Sequence, residues 1–363
     1  MTKVVFVFFL LPFFCFSQFD KKIRLNHIRI IASHNSYKGF PNPKVLRFLN
    51  RIKDKLGEEN NPIQLDYGHV SLMSQLNDYA VRGFELDIYY DPKGKSFRKR
   101  KINAFIWGLK QKVKNPKIKF PGFKLIHIPD VDYETNYILL KDALNEIKEW
   151  SDKNPNHIPV FINIEASSYS LRNESFFLKL LGFSKTAPFD LKAYEELDRE
   201  ILDVFPLSTQ RIFTPKMLKD TFMTIKHRLS YGWPSLNSCL GKVFFILEGD
   251  NCGIYREELE KGKNKPMFVY GSPNDKSTAF LLRNHSMGHE EEMSELSNTY
   301  ILRTRSDAGT IEARDNNYSR FDSCLKSKAQ IISTDYYKPD LRFGNFCIKL
   351  PNNNLRPYIL KDE

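Results

Sequence analysis

Eight short apolar runs, separated by longer helical or loop connections, constrain the fold of this chain more than any other feature. They begin at Ile28, Arg82, Lys124, Pro159, Gly241, Met267, Tyr300 and Ala329. Near-continuous apolar runs are typical of strands buried on both faces, and such strands are usually parallel. Eight parallel strands with crossover helices predict an α/β fold, a TIM-like (β/α)8 barrel. No internal repeat or linker interrupts the pattern, so we expect a single domain over residues 18–363.

The connections differ in how clearly they predict helices. Apolar residues recur at helical spacing in 70–80, 137–150 and 191–204, and 217–229 is also helical in character. The stretch from the first strand to Tyr67 is polar and is expected to form a loop. The connection after the Met267 run carries the weakest helical pattern.

Polar and titratable side chains stand at the ends of the predicted strands. They are His34 and Asn35 on the first, Glu85 and Asp87 on the second, His127 on the third, Glu165 on the fourth, Arg303 and Arg305 on the seventh, and Asp335 on the eighth. Active sites of these barrels lie at the C-terminal ends of the strands. A lone His or Glu there is usually structural, but the coincidence of all of them at one rim indicates a shared site.

Glu85 and Asp87 form an acidic pair on one strand. Alternate side chains of a strand point the same way, so these two share a face while Leu86 and Ile88 occupy the other. Two neighbouring carboxylates repel each other, and such a pair usually holds a cation or performs proton chemistry. The alternative is a pair of solvated residues on an edge strand.

The net charge of +12 and the pI near 9.2 suggest an anionic partner. Nucleic acid, a membrane surface and a phosphorylated substrate all fit that charge. No RNA-binding or helix-turn-helix signature is present, which disfavours nucleic acid.

A basic insertion, residues 93–119, lies between strands 2 and 3. It holds eleven Lys or Arg residues and no Asp or Glu. Ile102, Ile106, Leu109 and Val113 recur at helical spacing, and Trp107 lies among them. This pattern predicts an interfacial helix on an anionic membrane surface. The alternative is a solvated loop whose apolar residues pack on the barrel.

The N-terminus has the pattern of a signal peptide. Lys3 precedes an apolar run from Val4 to Phe16, and Ser17 is a small residue at the expected cleavage site. We therefore expect residues 1–17 to be removed and the protein to be secreted or periplasmic. Lipid attachment at Cys15 is disfavoured, because the three residues before it lack the small side chain that processing requires. No later segment is long and apolar enough to span a bilayer.

Four cysteines remain after that cleavage: Cys239, Cys252, Cys324 and Cys347. An even number in an exported protein permits disulfides, and four buried thiols are the alternative. Cys239 and Cys252 flank a predicted strand and are expected to be too far apart to bridge.

A resemblance to a known family rests on several short motifs taken in order. They are Ser33-His34-Asn35-Ser36-Tyr37, Glu85-Leu86-Asp87, Ile126-His127, Asn163-Ile164-Glu165, Leu302-Arg303-Thr304-Arg305-Ser306-Asp307 and Ser333-Thr334-Asp335-Tyr336-Tyr337. Together they resemble the catalytic half of phosphoinositide-specific phospholipase C, above all its calcium-dependent bacterial branch. The likeness runs from about Ile28 to Tyr337, without the C2, PH or EF-hand modules of the eukaryotic enzymes.

This resemblance implies an activity and a set of roles. Phosphatidylinositol would be cleaved to diacylglycerol and inositol 1,2-cyclic phosphate, or inositol phosphate, at an anionic membrane surface. The implied calcium ligands are Asn35, Glu85, Asp87 and Glu165. His127 would be the general acid, and His34 would stabilise the phosphorane or relay the proton of the attacking hydroxyl, with Glu85 able to share the role of base.

The two arginines of the seventh predicted strand are expected to hold either a ring phosphate or the scissile phosphate, and Asp335 is counted with them among the substrate residues. Arg303 and Arg305 are two residues apart and share a face of that strand. The alternative is a salt bridge to Asp307 or Asp335.

Two rival functions stay open on the sequence alone. A glycerophosphodiester phosphodiesterase uses a similar barrel with two histidines and a Glu-x-Asp pair, but usually has Arg-Gly where this chain has Asn35-Ser36. The other rival is a non-catalytic lipid-binding barrel, against which the presence of both His34 and His127 argues. A monomer is expected, and the preferred phosphoinositide is left open.

Overall fold

The computed structural model describes residues 20, 22–351 and 358–360. These form ten strands: β1 (Ile28–Ser33), β2 (Gly83–Asp91), β3 (Gly122–Leu125), β4 (Val160–Ala166), β5 (Val243–Gly249), β6 (Met267–Val269), β7 (Phe280–Leu282), β8 (Ile301–Arg305), β9 (Ile331–Thr334) and β10 (Tyr358–Ile359). All but β3 and β10 are parallel, in the order β6-β5-β4-β2-β1-β9-β8-β7. One parallel bridge between Tyr270 and Phe280 joins β6 to β7. The predicted eight-stranded barrel is confirmed.

The described residues form twelve α-helices between these strands. They are α1 (Pro43–Arg51), α2 (Leu72–Asp78), α3 (Leu140–Lys153), α4 (Phe176–Leu180), α5 (Leu191–Val204), α6 (Pro215–Lys219), α7 (Ile225–Leu229), α8 (Leu236–Cys239), α9 (Cys252–Glu260), α10 (Glu290–Ser297), α11 (Ile311–Asp315) and α12 (Ser319–Lys326). The helices predicted in 70–80, 137–150 and 191–204 are confirmed as α2, α3 and α5. The single helix predicted at 217–229 is instead two short helices, α6 and α7.

Helix α1 lies in the stretch that was expected to be a loop. Pro43 occupies its first turn, where a missing N–H costs nothing, and the Asn42 side chain accepts a hydrogen bond from the backbone N–H of Lys44. Val45 and Leu49 are its buried residues. These start signals were present in the sequence, but the surrounding polar residues obscured them.

The run at Lys124 is not a barrel strand, which corrects the predicted strand assignment but not the count of eight. It forms β3, which pairs antiparallel with β2 through Ile88 and Leu125 and lies off the barrel path. The barrel strand that was not predicted is β7, a three-residue apolar run. Glu165 therefore lies on the third barrel strand, and His127 lies in the loop after β3. A short apolar run does not by itself distinguish a barrel strand from a hairpin strand.

The barrel interior changes from apolar to polar along its strands. Alternate residues of a strand share a side, so Phe161, Asn163 and Glu165 of β4 follow one another up one side of the sheet. Near the start of the strands, Phe161 stacks on Phe244 with ring centroids 5.1 Å apart, and Phe280 lies edge-on to Phe161. This packed aromatic layer closes the lower half of the barrel and leaves the upper half to charged side chains.

The basic insertion does not form the predicted helix. Over residues 93–119 the only helical segments of the described structure are 3-10 turns at Lys101–Phe105 and Pro116–Lys119, and one antiparallel bridge joins Lys99 to Lys112. Gly108, in the middle of the expected helix, has a φ of +77°, which lies outside the helical region, so the helix is not continuous. Ile102 is buried against α1, whereas the Trp107 side chain is 96% exposed.

Cys239, Cys252, Cys324 and Cys347 are all free thiols. Within the described ranges, no helix has both the length and the apolarity needed to cross a bilayer. The signal peptide expected at residues 1–17, with Cys15 in it, falls outside these ranges.

Candidate active site

The predicted site residues converge at the C-terminal end of the barrel. His34, His127, Arg305 and Asp335 line one cavity of about 840 Å³. The carboxylate of Glu85 adjoins them, with its Oε2 3.9 Å from His34 Nε2. His34 and Arg305, which are 271 positions apart in the sequence, therefore meet at one cavity, as the rim pattern predicted.

Asn35 stands at the turn that ends β1. Its backbone has a φ of +45°, a left-handed conformation that asparagine tolerates better than most residues. Its N–H donates to Glu85 Oε2 at 3.3 Å, and the N–H of Ser36 donates to the Glu85 backbone carbonyl at 2.9 Å. These bonds hold the turn against β2 and bring the Asn35 amide among the carboxylates.

The carboxylates form a cluster set by strand register. Asp87 of β2 pairs with Glu165 of β4, and Glu165 pairs with Glu248 of β5, so these three side chains form a row across the sheet. Glu85 lies two residues below Asp87 on the same face. Oxygens of Glu85, Glu165 and Glu248 lie within 4.8 Å of one another. Asp87 accepts a hydrogen bond from Tyr37 Oη at 3.0 Å.

Burial and mutual repulsion act strongly on this cluster. Burial, followed by the charges of Glu165 and Glu85, raises the pKa of Asp87 well above its usual range. Burial and neighbouring carboxylates also raise the pKa of Glu165. Burial acts in the same direction on Glu85, but Arg303, His34 and Arg305 outweigh it and lower the pKa of Glu85. A cation among these groups would relieve the repulsion that raises the pKa values of Asp87 and Glu165.

The Asn35 amide lies among these carboxylates. In the orientation that satisfies its hydrogen bonds, Nδ2 donates to the two Asp87 carboxylate oxygens at 3.0 and 2.9 Å, and the amide oxygen accepts from Tyr67 Oη at 2.8 Å. The same oxygen lies 3.3 Å from His127 Nε2. An amide oxygen with several carboxylates is the donor set that Ca²⁺ prefers.

The imidazole of His34 is held between a carboxylate on one side and a guanidinium group on the other. Its Nδ1 donates to Asp335 Oδ1 at 2.9 Å, and Arg305 Nη1 donates to its Nε2 at 3.1 Å. Nε2 can accept that bond only when it carries no proton, so the ring is neutral. Burial, and next the positive charge of Arg305, lowers the pKa of His34 well below its usual value.

His127 is held by Asp132 through a tight turn. Nδ1 of His127 donates to Asp132 Oδ2 at 3.0 Å. The N–H groups of Val131 and Asp132 both donate to the carbonyl of Ile128, which folds the chain back on itself, and Asp130 at the bend has a φ of +68°. Nε2 is left facing Asn35.

Lys38 completes the support of Asp132. Its ammonium group lies 3.3 Å from Asp132 Oδ2 and donates to the carbonyls of Leu65 and Tyr67 at 2.9 Å. Burial alone would raise the pKa of Asp132, but Lys38 and His127 outweigh it and lower that pKa to about 2. Asp132 is therefore a buried, ionised partner for His127.

The two arginines have different surroundings. Arg303 is 3% exposed, and its Nη2 donates to Glu85 Oε2 at 2.5 Å and to Ser333 Oγ at 3.1 Å. Arg305 lines the cavity, contacts His34 and lies 3.4 Å from Asp335 Oδ2. The salt bridge to Asp335 that stood as an alternative is present for Arg305, whereas the partner of Arg303 is Glu85.

Three members of this site, Glu248, Asp132 and Lys38, were not predicted from the sequence. Glu248 directly follows the predicted strand 241–247, so the rule that singled out the other strand ends applies to it equally. Asp132 and Lys38 lie in loops, and only the three-dimensional turn at Ile128 brings them to His127. Nothing in their spacing pointed to that contact.

The chain matches one protein family over most of its length. The family model described as "Phosphoinositide phospholipase C, Ca2+-dependent" matches residues 23–357. A search among curated proteins finds no match. Among solved structures, the calcium-dependent phosphoinositol-specific phospholipase C of Pseudomonas sp. has a TM-score of 0.51 and 16% identity over 89% of this chain and 92% of that one.

A second solved structure is similar to the same degree. It is the calcium-dependent phosphatidylinositol-specific phospholipase C of Streptomyces antibioticus, with a TM-score of 0.50 and 15% identity over 87% of this chain and 95% of that one. At these identities the likeness bears on the fold, whereas the family match extends over most of the sequence.

Proposed function

The chain belongs to the calcium-dependent phosphoinositide phospholipase C family, and on that premise we propose that it cleaves phosphatidylinositol to diacylglycerol and inositol 1,2-cyclic phosphate. The observation that carries the proposal is the convergence of two carboxylate-bound histidines on one oxygen-rich cluster. The family match favours this activity over that of a glycerophosphodiester phosphodiesterase and over a non-catalytic barrel.

We propose that Asn35, Glu85, Asp87 and Glu165 hold the calcium ion, with Glu248 as a further ligand. The raised pKa values of Asp87 and Glu165, and the Asn35 amide held against the Asp87 carboxylate, support this set. The three clustered glutamates supply oxygen donors only, and oxygen is what a hard cation prefers. Bound calcium would offset the charge on a non-bridging phosphate oxygen and lower the pKa of the attacking hydroxyl.

His34 is the better placed of the two candidate bases. With Nδ1 donating to Asp335, Nε2 is the unprotonated ring nitrogen. It accepts a bond from Arg305 Nη1, and it would accept the proton of the inositol 2-hydroxyl when Arg305 turns to the phosphate. Glu85 is 4% exposed, and its Oε2 already accepts bonds from Arg303 and from the N–H of Asn35. Asp335 was assigned to the substrate residues from the sequence; we propose instead that it orients His34.

His127 is proposed as the general acid. As the 2-oxygen bonds to phosphorus, the bond from phosphorus to the glycerol oxygen breaks, and His127 donates its Nε2 proton to that oxygen. Asp132 fixes the ring by accepting from Nδ1, which leaves Nε2 toward the site. Attack within one molecule avoids bringing in a separate nucleophile. Arg305 would hold the phosphate, because its side chain reaches the cavity while Arg303 is engaged with Glu85.

We further propose that an exposed apolar patch, Trp107, Phe176, Phe177 and Leu180, docks on an anionic membrane. Trp107 is 96% and Phe176 80% exposed. The buried carboxylate of Asp130 ties the two segments that carry the patch, because it accepts from the N–H of Lys101 at 3.2 Å and from that of Ser184 at 2.5 Å. The lysines of the insertion surround Trp107 in sequence and would face anionic headgroups.

We propose that the protein is exported, because residues 1–17 have the pattern of a signal peptide. We also propose that residues 18–363 form one barrel domain. N-terminal sequencing of protein recovered outside the producing cells tests the cleavage, which we expect after Ser17. Recovery of an uncleaved or lipid-modified N-terminus would contradict it.

The activity is tested with phosphatidylinositol vesicles, with and without calcium, followed by phosphorus NMR of the products. We expect inositol 1,2-cyclic phosphate only when calcium is present. The His127→Ala protein, checked for folding by circular dichroism, is expected to release none. Glycerol phosphate as the product would support the rival phosphodiesterase, and the absence of any product would support the non-catalytic barrel.

A further inference from the structure

The cavity at His34 and His127 continues into an apolar groove. One wall of this groove comes from α1 and the turn that follows it, through Phe48, Ile52 and Leu56. The opposite wall comes from Leu171 and Leu178, next to and within α4. The volume of about 840 Å³ is shared by the polar catalytic end and this groove.

The groove has features that cleavage of an inositol headgroup does not require. Ile52, Leu56 and Leu178 remain only partly buried although they are apolar, so the fold itself does not fill the space between them. Pockets of about 300–1,000 Å³ with mostly apolar walls and a few polar groups at one end are typical ligand sites. Here the catalytic groups form one polar end, and Lys55, Glu59 and Glu174 also line the cavity.

The loop that carries His127 shows which end of the groove lies next to the leaving group. Ile128 and Val131, which flank the turn that positions His127, also line the cavity. A glycerol oxygen that receives its proton from His127 therefore lies where the polar and apolar halves meet. The apolar half begins on the side of the leaving group.

The other end of the groove reaches the exposed apolar patch. Phe105 lines the groove, is 45% exposed and stacks on Phe48 with ring centroids 6.3 Å apart. It lies two residues before Trp107. Leu178 faces the groove from α4, the same short helix that carries Phe176, Phe177 and Leu180. A chain that leaves a bilayer at the patch would enter the groove directly.

We infer that the groove binds a fatty acyl chain of the substrate, so that one chain of the glyceride leaves the bilayer and lies in the protein during cleavage. This inference rests on the proposed function and adds to it a site for the lipid tail. It also predicts that the protein acts on single lipid molecules in solution, provided their chains reach the groove.

Kinetics on soluble substrates test the inference. Glycerophosphoinositol has no chain, whereas monomeric phosphatidylinositols with butanoyl, hexanoyl and octanoyl chains extend progressively into the groove. We expect kcat/KM to rise with chain length by up to about fourfold per methylene while the groove fills, and then to level off. Equal kcat/KM for all four substrates would overturn the inference while leaving the phospholipase activity in place.

A matched pair of variants locates the effect. Leu56→Trp narrows the groove, and Leu207→Trp makes the same change at an exposed leucine that does not line it. We expect the octanoyl-to-glycerophosphoinositol ratio of kcat/KM to fall at least tenfold in Leu56→Trp and to stay as in the wild type in Leu207→Trp. An unchanged ratio in Leu56→Trp would count against the groove.

Binding without turnover separates this inference from the proposed function. The probe is monomeric dihexanoyl phosphatidylcholine, which carries chains but no inositol, followed by calorimetry. Saturable binding that weakens in Leu56→Trp but not in Leu207→Trp supports the groove even if no inositol lipid is cleaved. Absence of saturable binding to the wild-type protein, together with equal kinetics, refutes it.

Discussion

Asp132 Oδ2 lies 3.0 Å from Nδ1 of His127, although neither residue lies on a barrel strand. The contact depends on the tight turn at Ile128 and on the buried ammonium group of Lys38, which pairs with the same carboxylate oxygen. A histidine fixed through Nδ1 presents a defined Nε2 to its reaction partner. The proposed general acid is thus positioned by a loop rather than by the barrel.

Asp132→Asn should lower kcat about 100-fold and change KM little. The amide removes the charge that stabilises the protonated ring and fixes its tautomer, and general acid catalysis supplies about 10²–10⁴-fold in rate. The measurement is steady-state cleavage of phosphatidylinositol, with Asp152→Asn as control because Asp152 forms an exposed ion pair with Lys148. A variant that retains wild-type kcat would remove Asp132 from the mechanism.

The low pKa of Asp132 also predicts a pH dependence of stability. Its pKa is about 2 in the folded protein and about 3.9 in an unfolded chain. A lowered folded pKa contributes stability that is present above the unfolded value and lost as the pH falls through the folded value. At pH 7 the free energy of unfolding of the wild type should therefore exceed that of Asp132→Asn by about 2–3 kcal/mol.

That difference should shrink as the pH falls from about 4 to about 2. Urea unfolding of both proteins across this range measures it. A difference that is constant with pH would mean that the charge of Asp132 is not what stabilises the fold.

Glu248→Gln should weaken calcium binding about tenfold, because calcium affinity depends on the number of charged ligands. Glu257→Gln is the matched control, since Glu257 is highly exposed on α9. Isothermal calorimetry gives the affinity, and the calcium-dependent rise in Tm gives a second value that does not depend on activity. Equal calcium affinity in Glu248→Gln and in the wild type would exclude Glu248 from the ligand set.

Replacing the exposed aromatic residues should release the protein from membranes. Trp107→Ala combined with Phe176→Ala removes two exposed rings, and we expect vesicle binding to fall about tenfold or more. Sedimentation with phosphatidylserine-containing vesicles measures binding, and salt should weaken it further. Met223→Ala, at a side chain that is 82% exposed outside the patch, should bind as the wild type does. Retained binding in the double variant would contradict the docking proposal.

The barrel was predictable because most of its strands are apolar runs in the sequence. β4 and β5 are seven residues long, and the alternation of their side chains places Glu165 and Glu248 at the rim. β7 is an apolar run of only three residues, and its pairing with β8 identifies it as a strand. The Lys124 run has the same local pattern as a barrel strand, yet β2 extends past the barrel and pairs with it antiparallel.

The residues of the candidate site that lie at strand ends could be predicted, whereas those in loops could not. His34, Glu85 and Glu165 were identified because each lies at or near the end of a predicted strand. The contacts of Asp132 and Lys38 with His127 are fixed by a turn and by long-range packing, which no local spacing encodes. The helix predicted in the insertion was wrong, because Gly108, in the middle of the helically spaced apolar residues, has a φ of +77°.

The most direct test of the central claim is a crystal structure determined with calcium, with the ion located by its anomalous signal. We expect one ion within about 2.3–2.6 Å of oxygens from Asn35, Glu85, Asp87 and Glu165, between His34 and His127. An ion bound elsewhere, with this cluster left without metal, would contradict the account.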